Sequence, residues 1–370
     1  MTTIAHHVAP STHRGNPVRI SFRVTVPLAH GTPAETALDA TIAAWVFAPY
    51  NVPGEGAASM WYLAIPGATY RGLSYFDRQV EGYAAEEFSI ARFLARHGIG
   101  LVVIDTLGTG ESEGEVDGGL ITRFVTAGAN AQVLHHLRER LLAGMLVPGL
   151  APVPEDTLFL GAFGHSMGAF QLAQLAALLE DRGTPLDAAI FAGWSHGPVD
   201  YARLRLDADA ISTGMVGENG YLTIPFAAMR TIFYGPSPTV PEALIEADER
   251  DAVVIPKGLL DEVLIPGIVA REAGSIRCPV LHVLAAHDLG TSAQSEGQTY
   301  ASTRLFTAYT QPQAAHCNFE SSRRAFWQVL ADWSRMVAVS GHPFRRADPL
   351  GREHNSSHRP REAHGNGRKD

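Results

Sequence analysis

The chain has 370 residues, 46% hydrophobic and 18% charged, with a formal net charge of -9, a size that builds one large domain or one domain carrying an insertion. The acidic balance, with lysine limited to Lys257 and Lys369, argues against nucleic acid as a partner, because no basic face precedes Gly341. Cys278 and Cys317 are too few for a disulfide framework, and no Cys or His cluster has metal spacing. With no basic-then-apolar leader and no run of about twenty apolar residues, a soluble cytoplasmic protein without a membrane partner is expected.

After a polar leader at 1–18, Arg19 to Val26 alternates as a half-exposed strand does, and Ala40 to Phe47 reads as its partner. Met60 to Gly67 reads as a buried strand ending in a glycine turn. Helices at Ala84 to His97, Thr122 to Leu142 and Ala169 to Asp181 then alternate with apolar strands at Gly100 to Asp105, Thr157 to Gly164 and Asp187 to Gly193. That alternation predicts a parallel sheet covered on both faces. It stops after Trp194. Residues 197–276 hold proline and glycine breaks, the aromatic stretch Tyr221 to Tyr234 and the charged run Glu246 to Asp251, and predict a mainly helical cap. Strands at Pro279 to Ala286 and Thr303 to Tyr309 and a helix at Glu320 to Val337 resume the pattern. The core thus spans 19–196 and 277–340. The Arg-, His- and Pro-rich tail at 341–370 is expected to be disordered.

Gly164-His165-Ser166-Met167-Gly168 fits the G-x-S-x-G nucleophile elbow and lies between the strand and helix that motif requires. In a chain with 36 glycines the motif alone is weak, and a small residue in an ordinary strand-to-helix turn is the competing reading. A serine hydroxyl needs a base within hydrogen-bond reach and an acid to orient that base. On a parallel sheet both must project from loops at the carboxyl ends of strands. His316, between the last strand and the last helix, and Asp288, following the strand that ends at Ala286, meet this condition. Asp200 is a second candidate acid, and His282 and His287 are rival bases. For the oxyanion, the amide of Met167 at the helix start and that of Ala68 after Pro66-Gly67 are the candidate donors.

The order Ser166, Asp288, His316, together with Asp105-Thr-Leu-Gly-Thr-Gly-Glu-Ser112, resembles the α/β-hydrolase superfamily from about Arg19 to Ala338. The resemblance implies a mostly parallel eight-stranded sheet with helices on both faces and a mainly helical cap insertion. It further implies that the Asp105 loop shapes the floor of the site. Where many relatives have His-Gly before the oxyanion donor, this chain has Pro66-Gly67.

The expected function is that of a serine hydrolase cleaving an ester, lactone or thioester of a small, largely apolar molecule, without metal or organic cofactor. Acyl transfer, carbon-carbon bond hydrolysis and a non-catalytic ligand-binding role remain open on the same fold. Tyr70 and the cap residues Tyr221, Phe226, Arg230 and Phe233 are candidate substrate contacts. Arg230, in an apolar stretch, would pair either with a cap carboxylate or with an anionic substrate group. Glu320 reads as a first-turn helix residue favoured by the helix dipole.

Overall fold

A computed structural model describes residues 16–28, 37–51, 54, 56–199, 216–224, 226–235, 239–290 and 292–344. Its core strands are β1 (Val18–Pro27), β2 (Ala37–Phe47), β3 (Ser59–Ile65), β4 (Ile99–Ile104), β5 (Leu158–His165) and β6 (Ala189–Ala192). Between these and the last two core strands come β7 (Val216–Glu218), β8 (Tyr221–Thr223) and β9 (Ile255–Pro256), and the core closes with β10 (Val280–His287) and β11 (Phe306–Ala315). The eight core strands form one sheet in the order β1-β2-β4-β3-β5-β6-β10-β11. Only β2 runs against its neighbours; from β4 to β11 all pairing is parallel.

Side chains alternate across this sheet, so each strand feeds two cores. Leu158 and Ala162 of β5 join the cluster beneath α3 (Arg123–Leu142) and α4 (Met167–Asp181). Phe159 and Phe163 enter the opposite cluster with α1 (Gly72–Phe76), α2 (Ile90–Arg96) and the final helix.

The cap elements all lie between β6 and β10. Among the described residues they are the small antiparallel sheet β7-β8-β9 and the helices α5 (Phe226–Tyr234), α6 (Glu242–Asp251), α7 (Lys257–Val263) and α8 (Ala270–Ser275). The aromatic stretch from Tyr221 therefore divides into a strand and a helix, because the strand is recruited by the distant Ile255.

Several boundaries differ from the sequence expectation. The helix placed at Ala84 begins at Ile90, where the Ser89 hydroxyl accepts from the Arg92 amide at 3.0 Å and caps it. The last helix, α9 (Arg323–Phe344), starts three positions after Glu320 and continues past Gly341, where the tail was expected to begin. Residues 1–15 and 345–370 of the expected leader and tail lie outside the described residues. Among the described residues no helix is long and apolar enough to cross a membrane.

Candidate active site

Ser166 occupies the single position between β5 and α4 with φ 52° and ψ -122°, a conformation that costs a residue with a Cβ roughly 1–3 kcal/mol. The turn is held from both sides. The Ser166 amide donates to the Ala192 carbonyl at 2.7 Å, and the Ser166 carbonyl accepts from the amides of Ala169 and Phe170 at 2.8 and 3.1 Å. Two glycines are sterically required. A Cβ on Gly164 would lie 2.4 Å from the Gly168 carbonyl oxygen, and one on Gly168 would lie 2.2 Å from that of Ile65.

The loop between β11 and α9 carries His316 over this turn. Its Nε2 lies 2.8 Å from Ser166 Oγ and its Nδ1 lies 2.7 Å from Asp288 Oδ1. The arrangement fits a neutral imidazole whose Nδ1–H donates to the carboxylate and whose Nε2 accepts the serine proton. Asp288 is wholly buried. Burial alone would raise its carboxyl, but His316 and the amides of Ala285 and Leu289 outweigh that and hold it below the usual carboxylate range. Of the rival groups, Asp200 lies outside the described residues. His282 is buried within β10 beside Phe191 and Tyr300, His287 is exposed, and neither lines the cavity above Ser166.

Ala68 and Met167 face that cavity together with Ser166 and His316. Their elements are pressed into contact: a Cβ on Gly67 would lie 2.9 Å from Ser166 Cβ. Among the described residues neither amide is taken by a protein acceptor, which for Met167 follows from its place at the first position of α4. The Asp105 loop has a different role from the floor expected of it, since none of its residues lines the cavity. Asp105 accepts from the amides of Gly72 and Glu111, both at 2.7 Å, and so closes its own loop and ties β4 to the start of α1.

Two residues of the site were not recognised in the sequence. His165, the variable position of the elbow, donates from Nε2 to the His316 carbonyl at 2.9 Å and stacks on Tyr75 at 3.9 Å. Burial, followed by the neighbouring His316, drives its pKa down to about 3. Glu320 is buried rather than lying on a helix end. Its Oε1 accepts from the Ala315 amide at 2.7 Å, and burial, reinforced by Asp288 against the Ala315 amide, pushes the carboxyl up to about 7. A histidine between a glycine and the nucleophile was a usable signal for the first. Nothing local signalled the burial of the second.

The cavity has a volume of about 120 Å³. Its walls are mainly apolar, with Met229 and Phe233 from α5, Leu260 and Val263 from α7, and Leu289 beside Asp288. Tyr70 and Phe233 line it, whereas Tyr221 and Arg230 do not. The Tyr221 hydroxyl donates to the Val116 carbonyl at 3.2 Å, so the ring braces the cap against the core. Arg230 is exposed and pairs with Glu242, the cap-carboxylate alternative. Phe226 lies in α5, and its side chain is outside the described set. No group of His, Cys, Asp and Glu among the described residues could hold a metal ion, and both cysteines are buried free thiols.

No protein-family model matches the sequence, and no curated protein matches it. Solved structures do. A soluble variant of monoglyceride lipase from Saccharomyces cerevisiae matches with TM-score 0.54 and 12% identity, over 85% of this chain and 96% of that one. Proline iminopeptidase from Mycobacterium smegmatis matches with TM-score 0.52 and 14% identity, over 86% and 100%. A haloalkane dehalogenase loop variant from Bradyrhizobium elkanii matches with TM-score 0.52 and 12% identity, over 88% and 100%. At such identities the likeness concerns architecture, and these three proteins are named for three different reactions. From its strand order, its elbow and this likeness, the chain has the α/β-hydrolase fold, with a cap inserted between β6 and β10.

Proposed function

We propose that the chain is a serine hydrolase that cleaves a carboxylic ester, lactone or thioester with an apolar acyl or alcohol part. The observation that carries the reading is the continuous chain of contacts from Ser166 Oγ through the His316 ring to Asp288, at 2.8 and 2.7 Å. As Oγ attacks the substrate carbonyl, His316 Nε2 takes its proton, and Asp288 stabilises the imidazolium formed. The amides of Ala68 and Met167 receive the developing oxyanion, each donor contributing about 3 kcal/mol. Collapse breaks the carbonyl bond to the leaving alcohol or thiol, which departs with the proton from His316. Water then attacks the acyl-serine, gives its proton to the same nitrogen, and Ser166 recovers it as the acid leaves.

The apolar lining from Met229, Phe233, Leu260 and Val263 supports a hydrocarbon-bearing substrate. A nucleophilic serine separates the chain from haloalkane chemistry that passes through a carboxylate ester. The test is labelling by a fluorophosphonate probe, beside a hydrolysis screen of acyl esters, lactones and thioesters. Labelling that survives in Ser166→Ala, or that never occurs, refutes the assignment. Loss of labelling and turnover in Ser166→Ala and His316→Ala is the expected result.

A further inference from the structure

Behind the candidate triad, cap and core are joined by a buried ionic network with no part in the proton transfers above. The Tyr70 and Tyr234 hydroxyls both donate to Asp248 Oδ2, each at 2.7 Å. The Arg78 guanidinium lies 2.7 Å from Asp248 Oδ1 and 2.6 Å from Asp251 Oδ2. Tyr70, Arg78, Tyr234 and Asp248 are each at most 3% exposed. The members come from different units: Tyr70 follows the loop of Ala68, Arg78 follows α1, Tyr234 ends α5, and Asp248 lies on α6.

Main-chain bonds run in parallel with this network. The Val253 amide, just beyond α6, donates to the Thr69 carbonyl at 2.9 Å, and Thr69 itself is held at φ 69°. The amides of His316 and Cys317 donate to the carbonyls of Ile232 and Phe233 in α5, at 3.1 and 3.0 Å. The Tyr70 hydroxyl also lies 3.2 Å from Cys317 Sγ. One cap segment thus grips the loop of the candidate oxyanion donor, and another grips the loop of the candidate base. The Asp248 carboxylate ties the two grips together.

We infer that Asp248 is a positioning residue, and that α5, α6 and Val253 form a fixed frame that sets the Ala68 loop and the His316 loop at their working separation. Opening the cap along this edge would break the Arg78–Asp248 ion pair, the two tyrosine hydrogen bonds and the main-chain bonds to Thr69, Ile232 and Phe233 together. Substrate therefore enters elsewhere. Leu264 and Ile265 are exposed and line the same cavity, and the inference places entry on their side.

The inference rests on the serine-hydrolase reading, and its test separates the two. Tyr70→Phe, Tyr234→Phe, Asp248→Asn and the double variant Tyr70→Phe/Asp248→Asn are compared on a soluble p-nitrophenyl ester, with near-UV circular dichroism to verify the fold. We expect kcat to fall about 10- to 100-fold in Asp248→Asn and about tenfold in Tyr70→Phe, with KM held within about threefold, because misplaced groups slow chemistry more than they weaken binding. The double variant should lose no more than about twofold beyond the worse single, as members of one network do. If Asp248→Asn fails to fold, the two tyrosine variants carry the test. A lowered melting temperature with kcat intact, or a raised KM with kcat intact, overturns the inference. Turnover that persists in Ser166→Ala removes the hydrolase reading itself. Turnover abolished there but unchanged in the network variants removes only the role of Asp248.

Discussion

His165 Nε2 donates to the main-chain carbonyl of His316 at 2.9 Å, so the residue before the candidate nucleophile fixes the backbone of the candidate base. The two loops therefore cannot drift independently, even though their chain positions are far apart. The ring is also clamped on Tyr75, which leaves the hydrogen bond little angular freedom.

Replacing His165 with Phe keeps the stack on Tyr75 and deletes the donor. The buried His316 carbonyl is then left unsatisfied, a loss of about 1–3 kcal/mol in stability, with kcat reduced by about tenfold through the displaced imidazole. The pH dependence has a definite sign. Burial drives the folded-state pKa of His165 down to about 3, from the 6.5 usual for a free imidazole, so the unfolded chain binds the proton more readily. The contribution is whole above pH 6.5 and is lost as pH falls toward 3. Urea unfolding at pH 7 and pH 4.5 should show the gap between wild type and His165→Phe narrowing at the lower pH. An equal gap at both values would contradict a neutral His165.

Gly168 brings the elbow helix tightly against the end of β3. Its missing Cβ leaves room for the carbonyl oxygens of Ile65 and Pro66, which would stand 2.2 and 2.5 Å away. These atoms are backbone and cannot swing aside, so Gly168→Ala must push α4 away from the Ala68 loop. Overpacking of this kind costs about 1–3 kcal/mol. Separating the amides of Ala68 and Met167 should cost kcat about 100-fold, comparable to removing one oxyanion donor. Stopped-flow acylation with a chromogenic ester reads the effect directly, and a wild-type acylation rate would show that the two elements need not touch.

The elbow was legible because its chemistry is local: a strand, a strained serine, two glycines and a helix occupy consecutive positions. Asp288 and His316 were legible from chain order and from their places at strand ends. The sheet followed from apolar strands such as Leu101 to Ile104, buried throughout. The cap resisted the same reading because its contacts are set by folding back over distant surfaces. Leu260 and Val263, from α7, reach the cavity, whereas Tyr221, within the conspicuous aromatic stretch, is drawn into a small sheet with Ile255 and Pro256. The network of Asp248 was hidden for the same reason, since a charged run ordinarily predicts a solvated face, and Tyr70 and Arg78, far away in the chain, reverse that expectation.

One discarded cap contact and one that lines the cavity give a comparison inside a single helix. Arg230 and Glu242 are an exposed pair, of a kind worth about 0–1 kcal/mol, so Arg230→Ala should leave both kcat and KM within about twofold. Phe233 lies against His316 at 5.9 Å between ring centroids and lines the cavity. Truncating it to Ala should raise KM for long-chain esters by about tenfold or more, in line with a buried aromatic worth about 1.5–3 kcal/mol. Steady-state kinetics over an acyl-length series checks both. A strong charge preference lost in Arg230→Ala would return that residue to the site.

Glu320 sets the last expectation. With its carboxyl pushed up to about 7, from the 4.5 usual for a free glutamate, the folded chain holds this proton more tightly than the unfolded one. A raised carboxyl pKa means stability that is present below pH 4.5 and is lost as pH rises through 7. A rise from 4.5 to about 7 corresponds to on the order of 3 kcal/mol. Glu320→Gln retains an acceptor for the Ala315 amide but has no proton to lose, so it should match wild type near pH 4.5 and exceed it at pH 8. Melting temperatures recorded across that interval for both proteins provide the check. The outcome that defeats it is a wild-type protein whose margin over Glu320→Gln grows with pH, because the carboxylate would then be stabilised by partners instead of penalised by burial.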